Sequence, residues 1–301
     1  MNEEQRSKMA TGAGFIAALD QSGGSTPKAL EHYGVPESDY STDEQMFDLM
    51  HEFRARIMTA PAFGGDRILG AILFEQTMDR DVDGLPTPVY LWERKQVVPF
   101  VKVDEGLADE AGGVRLMKPF TKLEDLLARA VRRAVFGTKM RSFISRAEPD
   151  GIAAVLDQQF TYDEQILKAD LVPIIEPEVD IHSDTKQAAE TLLRQGILDR
   201  LKELPEGRQV MLKLSIPTED GFYTELIEHP RVLRVVALSG GYSRDEACEL
   251  LARDRTLIAS FSRALLEGLT EGQTDEQFNA QLESSIEQIY RASVHEQPAG
   301  A

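Results

Sequence analysis

The sequence predicts an α/β fold, a single (β/α)8 barrel of the TIM type, on three observations. Short apolar runs recur along the 301 residues, segments with helical periodicity separate them, and no linker rich in Pro, Gly or Ser divides the chain. We expect one domain over residues 1–301, with the barrel core over about residues 15–265 and a helical segment and short tail after it. A doubly wound open sheet is the alternative, because sequence alone does not give the strand order.

The apolar runs have the composition of parallel strands that are buried on both faces. There are eight of them, at residues 15–20, 68–74, 97–103, 136–141, 171–179, 210–215, 232–239 and 257–262. Strands that alternate with helices pair in parallel, and eight such units can close into a barrel.

Capping signals predict the start of three helices between these strands. A capping box can form within residues 41–44, another between Thr121 and Glu124, and a third between Ser243 and Glu246. Apolar residues at helical spacing follow each signal.

Two segments show neither the apolar runs typical of strands nor the periodicity typical of helices. Residues 79–95 are predicted to form a surface loop, and residues 295–301 are predicted to be a frayed tail.

The composition excludes several classes of function. A net charge of −18 opposes binding to nucleic acid or to an anionic membrane, because both are negatively charged. The chain has no apolar stretch long enough to span a membrane and no hydrophobic signal sequence at its start, and its single cysteine, Cys248, has no partner for an internal disulfide. We therefore expect a cytoplasmic protein.

Charged residues lie near the C-terminal ends of five predicted strands. They are Asp20, Lys102 with Asp104, Lys139 with Arg141, Glu176 with Glu178, and Lys213. Residues two apart share one face of a strand, and the active sites of barrels form at this end. A layer of ion pairs that merely closes the barrel is the alternative, but charges from five strands exceed what such a layer requires.

Lys213 is the predicted nucleophile among the three lysines of this group, which also includes Lys102 and Lys139. A lysine attacks a carbonyl carbon only as the neutral amine, and burial favours the neutral form. Lys213 has the most apolar neighbours in sequence, whereas Arg141 lies close to Lys139.

Two glycine-rich turns and one arginine predict binding of two phosphates. Ser22-Gly23-Gly24-Ser25 follows the first strand, Ser239-Gly240-Gly241 follows the seventh, and Arg263 comes directly after the eighth. Exposed backbone N–H groups in such turns bind anions, and barrels often bind phosphate after strands seven and eight.

The segments that contain these residues make the sequence similar to the class I fructose-bisphosphate aldolases, the metal-independent Schiff-base type, and especially to their bacterial branch. The segments FIAALDQSGGS, ILFEQTMDR, VPFVKVDEGL, FGTKMRS, LVPIIEPEV, VMLKLSIP, VVALSGGYS and ASFSRAL keep the family order. The resemblance implies a lyase of glycolysis and gluconeogenesis that cleaves fructose 1,6-bisphosphate reversibly into dihydroxyacetone phosphate and glyceraldehyde 3-phosphate. It implies no metal and no cofactor.

The resemblance also implies a role for each site residue. Lys213 would form the Schiff base, Glu176 would act as general acid and base, and Glu178 would help to position the lysines. The other matches are Asp20 at the scissile bond, the pair Lys139 and Arg141, Lys102 in the substrate pocket, and the phosphate-binding residues Ser239, Gly240, Arg263, Ser22 and Ser25. The sequence departs from the family pattern at Gln21, where many members have Glu, and at Ser262, where Gly often precedes the arginine.

Other functions fit parts of the same pattern. A metal-dependent aldolase needs clustered histidines, whereas His32, His51, His182, His229 and His295 are scattered along the sequence. A transaldolase or an aldolase for shorter sugar phosphates would share the lysine imine but not two phosphate sites. A non-catalytic scaffold barrel would need neither the lysine nor its acid/base partner. A homo-oligomer is left open, because no interface stripe stands out.

Overall fold

Eight parallel strands are hydrogen-bonded in chain order in the computed structural model, which describes residues 2–21 and 26–294. They are β1 (Phe15–Leu19), β2 (Ile68–Leu73), β3 (Val98–Lys102), β4 (Gly137–Ile144), β5 (Val172–Val179), β6 (Val210–Ser215), β7 (Val232–Leu238) and β8 (Ile258–Ala259). The Ala18 N–H donates to the Phe261 carbonyl at 3.1 Å, which joins the end of β8 to β1 and nearly closes the sheet. The predicted (β/α)8 barrel is confirmed, and the open doubly wound sheet is wrong.

Helices connect the strands and surround the barrel. The longer ones are α1 (Glu3–Thr11), α2 (Thr26–Tyr33), α3 (Asp43–Thr59), α4 (Thr87–Lys95), α5 (Leu123–Arg132), α6 (Pro149–Lys168), α7 (Lys186–Leu201), α8 (Arg244–Arg253) and α9 (Asp275–Val294). Shorter helical turns cover Glu37–Asp39, Glu75–Met78, Thr224–Ile227 and Arg263–Leu266. In the part of the chain that the structure describes, no helix has the length and apolar composition needed to cross a membrane.

One of the three predicted capping boxes forms as expected. At α8, Ser243 Oγ accepts a hydrogen bond from the Glu246 N–H at 3.3 Å, and Glu246 Oε2 accepts one from the Ser243 N–H at 3.1 Å. At α3 the cap forms one residue later than predicted, because Thr42 Oγ1 accepts from the Gln45 N–H at 3.2 Å.

The predicted capping box of Thr121 and Glu124 is wrong. Helix α5 begins at Leu123, and Lys122 is its N-cap without a side-chain hydrogen bond. The Thr121 hydroxyl donates instead to Glu105 Oε2 at 2.9 Å. A tertiary contact therefore takes the place of the local cap.

The predicted surface loop over residues 79–95 is also wrong. It contains a short antiparallel pair of strands, Asp81–Val82 and Leu85–Pro86, and then α4, whose Tyr90 and Leu91 are buried. Because the proline at the start of α4 lacks an N–H, it suits the first helical turn, where no partner for that group exists.

The barrel interior is filled by residues that alternate along each strand. Ile16 and Ala18 of β1, Phe100 of β3, Ile174 of β5 and Met211 of β6 belong to one buried apolar cluster. A second, larger cluster fills the space between the strands and the helices. The inward-facing positions therefore continue, two residues at a time, towards the C-terminal end of each strand.

Helix α6 carries a buried carboxyl group, that of Asp163. Asp163 is fully buried, and neither of its carboxyl oxygens has a hydrogen-bond partner in the structure as described. Burial, with a smaller contribution from the charge of Glu164, raises the pKa of Asp163 to about 7.

We predict that Asp163→Asn stabilises the fold more strongly at pH 8 than at pH 5. The pKa of Asp163 is higher in the folded state than its value of about 3.9 in an unfolded chain, so the folded state loses stability as the pH rises from about 4 to about 7. Removing the ionisable group should therefore raise the free energy of unfolding by on the order of 1–4 kcal/mol at pH 8. Urea denaturation at the two pH values measures the difference.

Glu206→Gln, in an exposed loop, is the matched control and should show no such pH-dependent gain. An Asp163→Asn variant that is less stable than the wild type at pH 8 would contradict the prediction.

Candidate active site

The inward-facing positions of four strands end in charged residues at one end of the barrel. Asp20 lies two residues after Ala18 of β1, Glu176 two residues after Ile174 of β5, and Lys213 two residues after Met211 of β6. The fourth residue, Lys139, lies on β4. Each of these residues is only 3–8% exposed. The period of two along each strand therefore brings four charges together beneath the mouth of the barrel, as the sequence predicts.

These four side chains form one chain of ion pairs. Lys213 Nζ lies 3.1 Å from Glu176 Oε1, and Lys139 Nζ lies 3.0 Å from Glu176 Oε2. Lys139 Nζ also lies 2.5 Å from Asp20 Oδ2. The Glu176 carboxylate is thus held between two amino groups, and Lys139 is held between two carboxylates.

The neighbouring charges outweigh burial at Lys139 and Asp20. Burial would lower the pKa of Lys139, but Asp20, Glu176 and Asp104 raise it well above the usual value for lysine. Burial would raise the pKa of Asp20, but Lys139 and Lys213 hold it well below the usual value for aspartate. Lys139 therefore stays protonated and Asp20 stays ionised near neutral pH.

A second group of charges lies beside this chain of ion pairs. Lys102 Nζ lies 2.7 Å from Asp104 Oδ1, and the Arg141 N–H donates to Asp104 Oδ2 at 3.2 Å. The Arg141 guanidinium pairs with Glu178. Glu178 was expected to position the lysines, but within residues 2–21 and 26–294 its ion pair is with Arg141 and none is with a lysine.

The turn after β7 lies beside Arg263, which comes four residues after the end of β8. Ser239 is buried, and Gly240 and Gly241 have φ angles of 61° and 120°, which favour glycine. A Cβ atom added at Gly241 would lie 3.8 Å from Nη2 of Arg263. Arg263 is exposed, and over the described ranges no carboxylate pairs with it, so it is available to an anion. Ser22 and Ser25, the residues predicted at the other turn, lie outside the described residues.

Two residues that the sequence interpretation missed help to hold the site. Gln159 of α6 accepts a hydrogen bond from the Glu176 N–H at 3.0 Å and donates one to Ser142 Oγ at 3.0 Å. Arg54 of α3 is 2% exposed, donates to Thr77 Oγ1 at 2.7 Å and also donates to the backbone carbonyl of Gln21. The available signal was a polar residue at a buried position of an amphipathic helix.

The described part of the site does not bring metal ligands together. Over the described residues, no three side chains of His, Cys, Asp or Glu come together in a way that could hold a metal ion. His32 and His51 lie on helices α2 and α3, and His182 and His229 lie in connecting segments. His295 lies outside the described residues.

Comparisons with known proteins agree on one family. The family model described as fructose-bisphosphate aldolase class-I matches residues 2–212. The chain is 60% identical to a class 1 fructose-bisphosphate aldolase of Synechocystis sp., over 97% of this chain and 98% of that protein. It is 55% identical to one of Porphyromonas gingivalis, over 98% of this chain and 100% of that protein.

A solved structure supports the assignment of the fold. The structure of a fructose-bisphosphate aldolase from Plasmodium falciparum matches 99% of this chain and 95% of its own, with a TM-score of 0.78. At 20% sequence identity, this likeness concerns the fold alone.

We predict that Lys139→Met destabilises the fold strongly and in a pH-dependent way. The substitution leaves Asp20 and one oxygen of Glu176 buried without their shared cation, which costs about 3–5 kcal/mol in other buried pairs. The loss should be smaller at pH 5 than at pH 8, because without Lys139 fewer positive charges oppose burial, so the pKa of Asp20 rises and its carboxyl group takes up a proton more readily. Urea denaturation measures both values.

Lys202→Met, which removes an exposed ion pair with Asp199, is the control and should change the free energy of unfolding little. Equal losses from Lys139→Met at the two pH values would show that the charge of Asp20 is not involved.

Proposed function

The chain belongs to the family of class I fructose-bisphosphate aldolases, and we propose that Lys213 forms the imine through which it acts. The reaction of the family is the reversible cleavage of a carbon–carbon bond in fructose 1,6-bisphosphate, a step of glycolysis and gluconeogenesis. The products are dihydroxyacetone phosphate and glyceraldehyde 3-phosphate. A cytoplasmic location follows as part of the same proposal.

The position of the Glu176 carboxylate between two amino groups is the observation that carries this proposal. Lys139 contacts two carboxylates and stays protonated, so it cannot attack a carbonyl carbon. Among the residues that the structure describes, the ion pair of Lys213 is with Glu176, at 3.1 Å, and transfer of one proton along that contact gives the neutral amine. Lys139 therefore remains a cation, whereas Lys213 can become the neutral nucleophile.

Imine formation uses Glu176 twice. Glu176 accepts a proton from Lys213, whose neutral nitrogen then attacks the ketone carbon C2 of the open-chain substrate and gives a carbinolamine. Glu176 returns a proton to the departing hydroxyl group, and water leaves. The product is a protonated imine, which can accept an electron pair during the next step.

The bond between C3 and C4 then breaks. The proton of the C4 hydroxyl group passes to a carboxylate, the electron pair of the C3–C4 bond moves into the imine, and glyceraldehyde 3-phosphate leaves as the aldehyde. Protonation of the remaining enamine at C3 and hydrolysis of the imine release dihydroxyacetone phosphate and restore Lys213.

We assign the transfer of the C4 proton to Glu176 and the orientation of the hydroxyl group to Asp20. The pKa of Asp20 is held low by Lys139 and Lys213, so its carboxylate is a weak base and remains an acceptor of hydrogen bonds. Glu176 lies 3.1 Å from the nitrogen of Lys213, with which it exchanges protons in the preceding steps. It is therefore the carboxylate that can take up a further proton.

The C1 phosphate of the substrate is assigned to the turn after β7 and to Arg263. This phosphate is attached next to C2, so it must bind close to Lys213, and Val236 of β7 pairs with Lys213 in the sheet. Ser239, Gly240 and Gly241 follow directly after this strand, and beside them lies the guanidinium of Arg263, which has no ion pair among the described residues. Lys102 and Arg141 are assigned to the other half of the substrate, with Ser22 and Ser25 at its second phosphate.

We predict that borohydride reduction with substrate attaches a covalent adduct to Lys213. Peptide mass mapping locates the adduct, and a modification on another lysine would refute the assignment. Lys213→Met should lose the adduct and at least about a thousandfold of kcat/KM, because no other neutral amine replaces it. The variant should remain folded, since Glu176 keeps its contact with Lys139. Lys202→Met is the control and should keep both adduct and activity.

We also predict that an excess of a metal chelator leaves the cleavage rate unchanged. The protonated imine accepts the electron pair from the breaking bond, so the proposed mechanism needs no metal ion. Steady-state rates before and after dialysis against the chelator measure this. A loss of activity that added divalent metal restores would support the metal-dependent route instead.

A further inference from the structure

The seam between β1 and β8 carries a side-chain hydrogen bond close to the candidate active site. Strand β8 contains only two residues, and the Ala18 N–H joins its end to β1. Just beyond the strand ends, Gln21 Nε2 donates to Ser262 Oγ at 2.6 Å. Gln21 directly follows Asp20, and Ser262 directly precedes Arg263. The bond therefore links the residue after the Asp20 carboxylate to the residue before the Arg263 guanidinium.

Gln21 is held in place from behind. Its backbone carbonyl accepts a hydrogen bond from Nη2 of Arg54, while Nη1 of Arg54 donates to Thr77 Oγ1 at 2.7 Å. Arg54 is almost fully buried and packs within helix α3 against the barrel, so it has little freedom to move. The hydrogen bond from Arg54 therefore fixes the backbone of Gln21, from which its side chain reaches Ser262.

The backbone at Ser262 sets the position from which the Arg263 side chain extends. The backbone of Ser262, with φ −108° and ψ −82°, is neither helical nor extended, and its carbonyl accepts a hydrogen bond from the Leu265 N–H at 3.1 Å. The four-residue helix Arg263–Leu266 follows directly. Because the Arg263 side chain is exposed and makes no ion pair in the described parts of the chain, its direction depends on the backbone at Ser262.

We propose that Gln21 is a positioning residue for the substrate phosphate: its hydrogen bond to Ser262 fixes the backbone from which Arg263 reaches the C1 phosphate. A side chain that is already oriented loses less freedom when it binds, so the bond increases the affinity for phosphorylated ketones. The inference rests on the proposed function in one respect, namely that Arg263 binds the phosphate. A purely structural bond across the seam would affect stability but not phosphate affinity.

The test is a double-mutant cycle on the two partners. Gln21→Met keeps the length of the side chain and removes the donor, and Ser262→Ala removes the acceptor while keeping the backbone N–H. Dihydroxyacetone phosphate is the probe, and calorimetric titration gives its Kd. Each single variant should raise the Kd by about three- to tenfold, and the double variant should raise it by the same factor rather than by the product of the two.

Three further measurements separate positioning from simple stability. Ser262→Thr keeps a hydroxyl acceptor and should restore most of the affinity. In cleavage of fructose 1,6-bisphosphate, Gln21→Met should raise KM while kcat changes less than twofold. Gln288→Met, which removes an exposed hydrogen bond to Asp245 on α8, is the matched control and should leave the Kd unchanged.

An unchanged Kd in the single variants would overturn the proposal, even if their melting temperatures fall. Losses that multiply in the double variant would also overturn it, because the two side chains would then act independently. The lack of a borohydride adduct on wild-type Lys213 would refute the proposed role of that lysine instead. The Kd values would still test Gln21, since they do not require an imine.

Discussion

The site depends on one carboxylate, that of Glu176, which lies within 3.1 Å of two lysine amino groups. Two buried lysines and two buried carboxylates compensate one another, so the group adds no net charge to the barrel interior. If Lys139 were absent, Asp20 and Glu176 would lose the cation that they share and would carry an uncompensated charge in a medium of low dielectric constant. The β/α barrel solves this problem, since it delivers the four side chains from β1, β4, β5 and β6 to one point.

The balance of charges also explains how a strongly acidic chain can bind an anionic sugar. The net charge of −18 belongs largely to exposed residues, and charges farther away than about 10 Å are screened at 0.1 M salt. Around the mouth, Lys102, Lys139 and Arg141 are paired with carboxylates, whereas Arg263 makes no ion pair within the described residues. Under the proposed function, a phosphate can therefore bind Arg263 without a change in the ion pairs of Lys139 and Lys213.

The barrel and the four charges could be predicted from the sequence because strand periodicity fixes which residues face inward. Arg54 and Gln159 could not, since each reaches the site from a helix, and contact between a helix and a strand depends on packing rather than on spacing. The segment over residues 79–95 was wrongly predicted for a related reason: its few apolar residues form a helix only because Tyr90 and Leu91 are buried against the barrel.

Closure of the barrel brings two residues that are distant in the sequence into contact. Gln21 and Ser262 are 241 positions apart in the sequence and share a hydrogen bond of 2.6 Å. The seam that they bridge lies beside a two-residue strand, so side chains have more influence on the geometry here than between longer strands. A change on either side of this seam can shift Arg263 while the ion pairs of Glu176 stay intact. If Arg263 binds the phosphate as proposed, the seam is the place where phosphate affinity can change while the ion pairs around Lys213 do not.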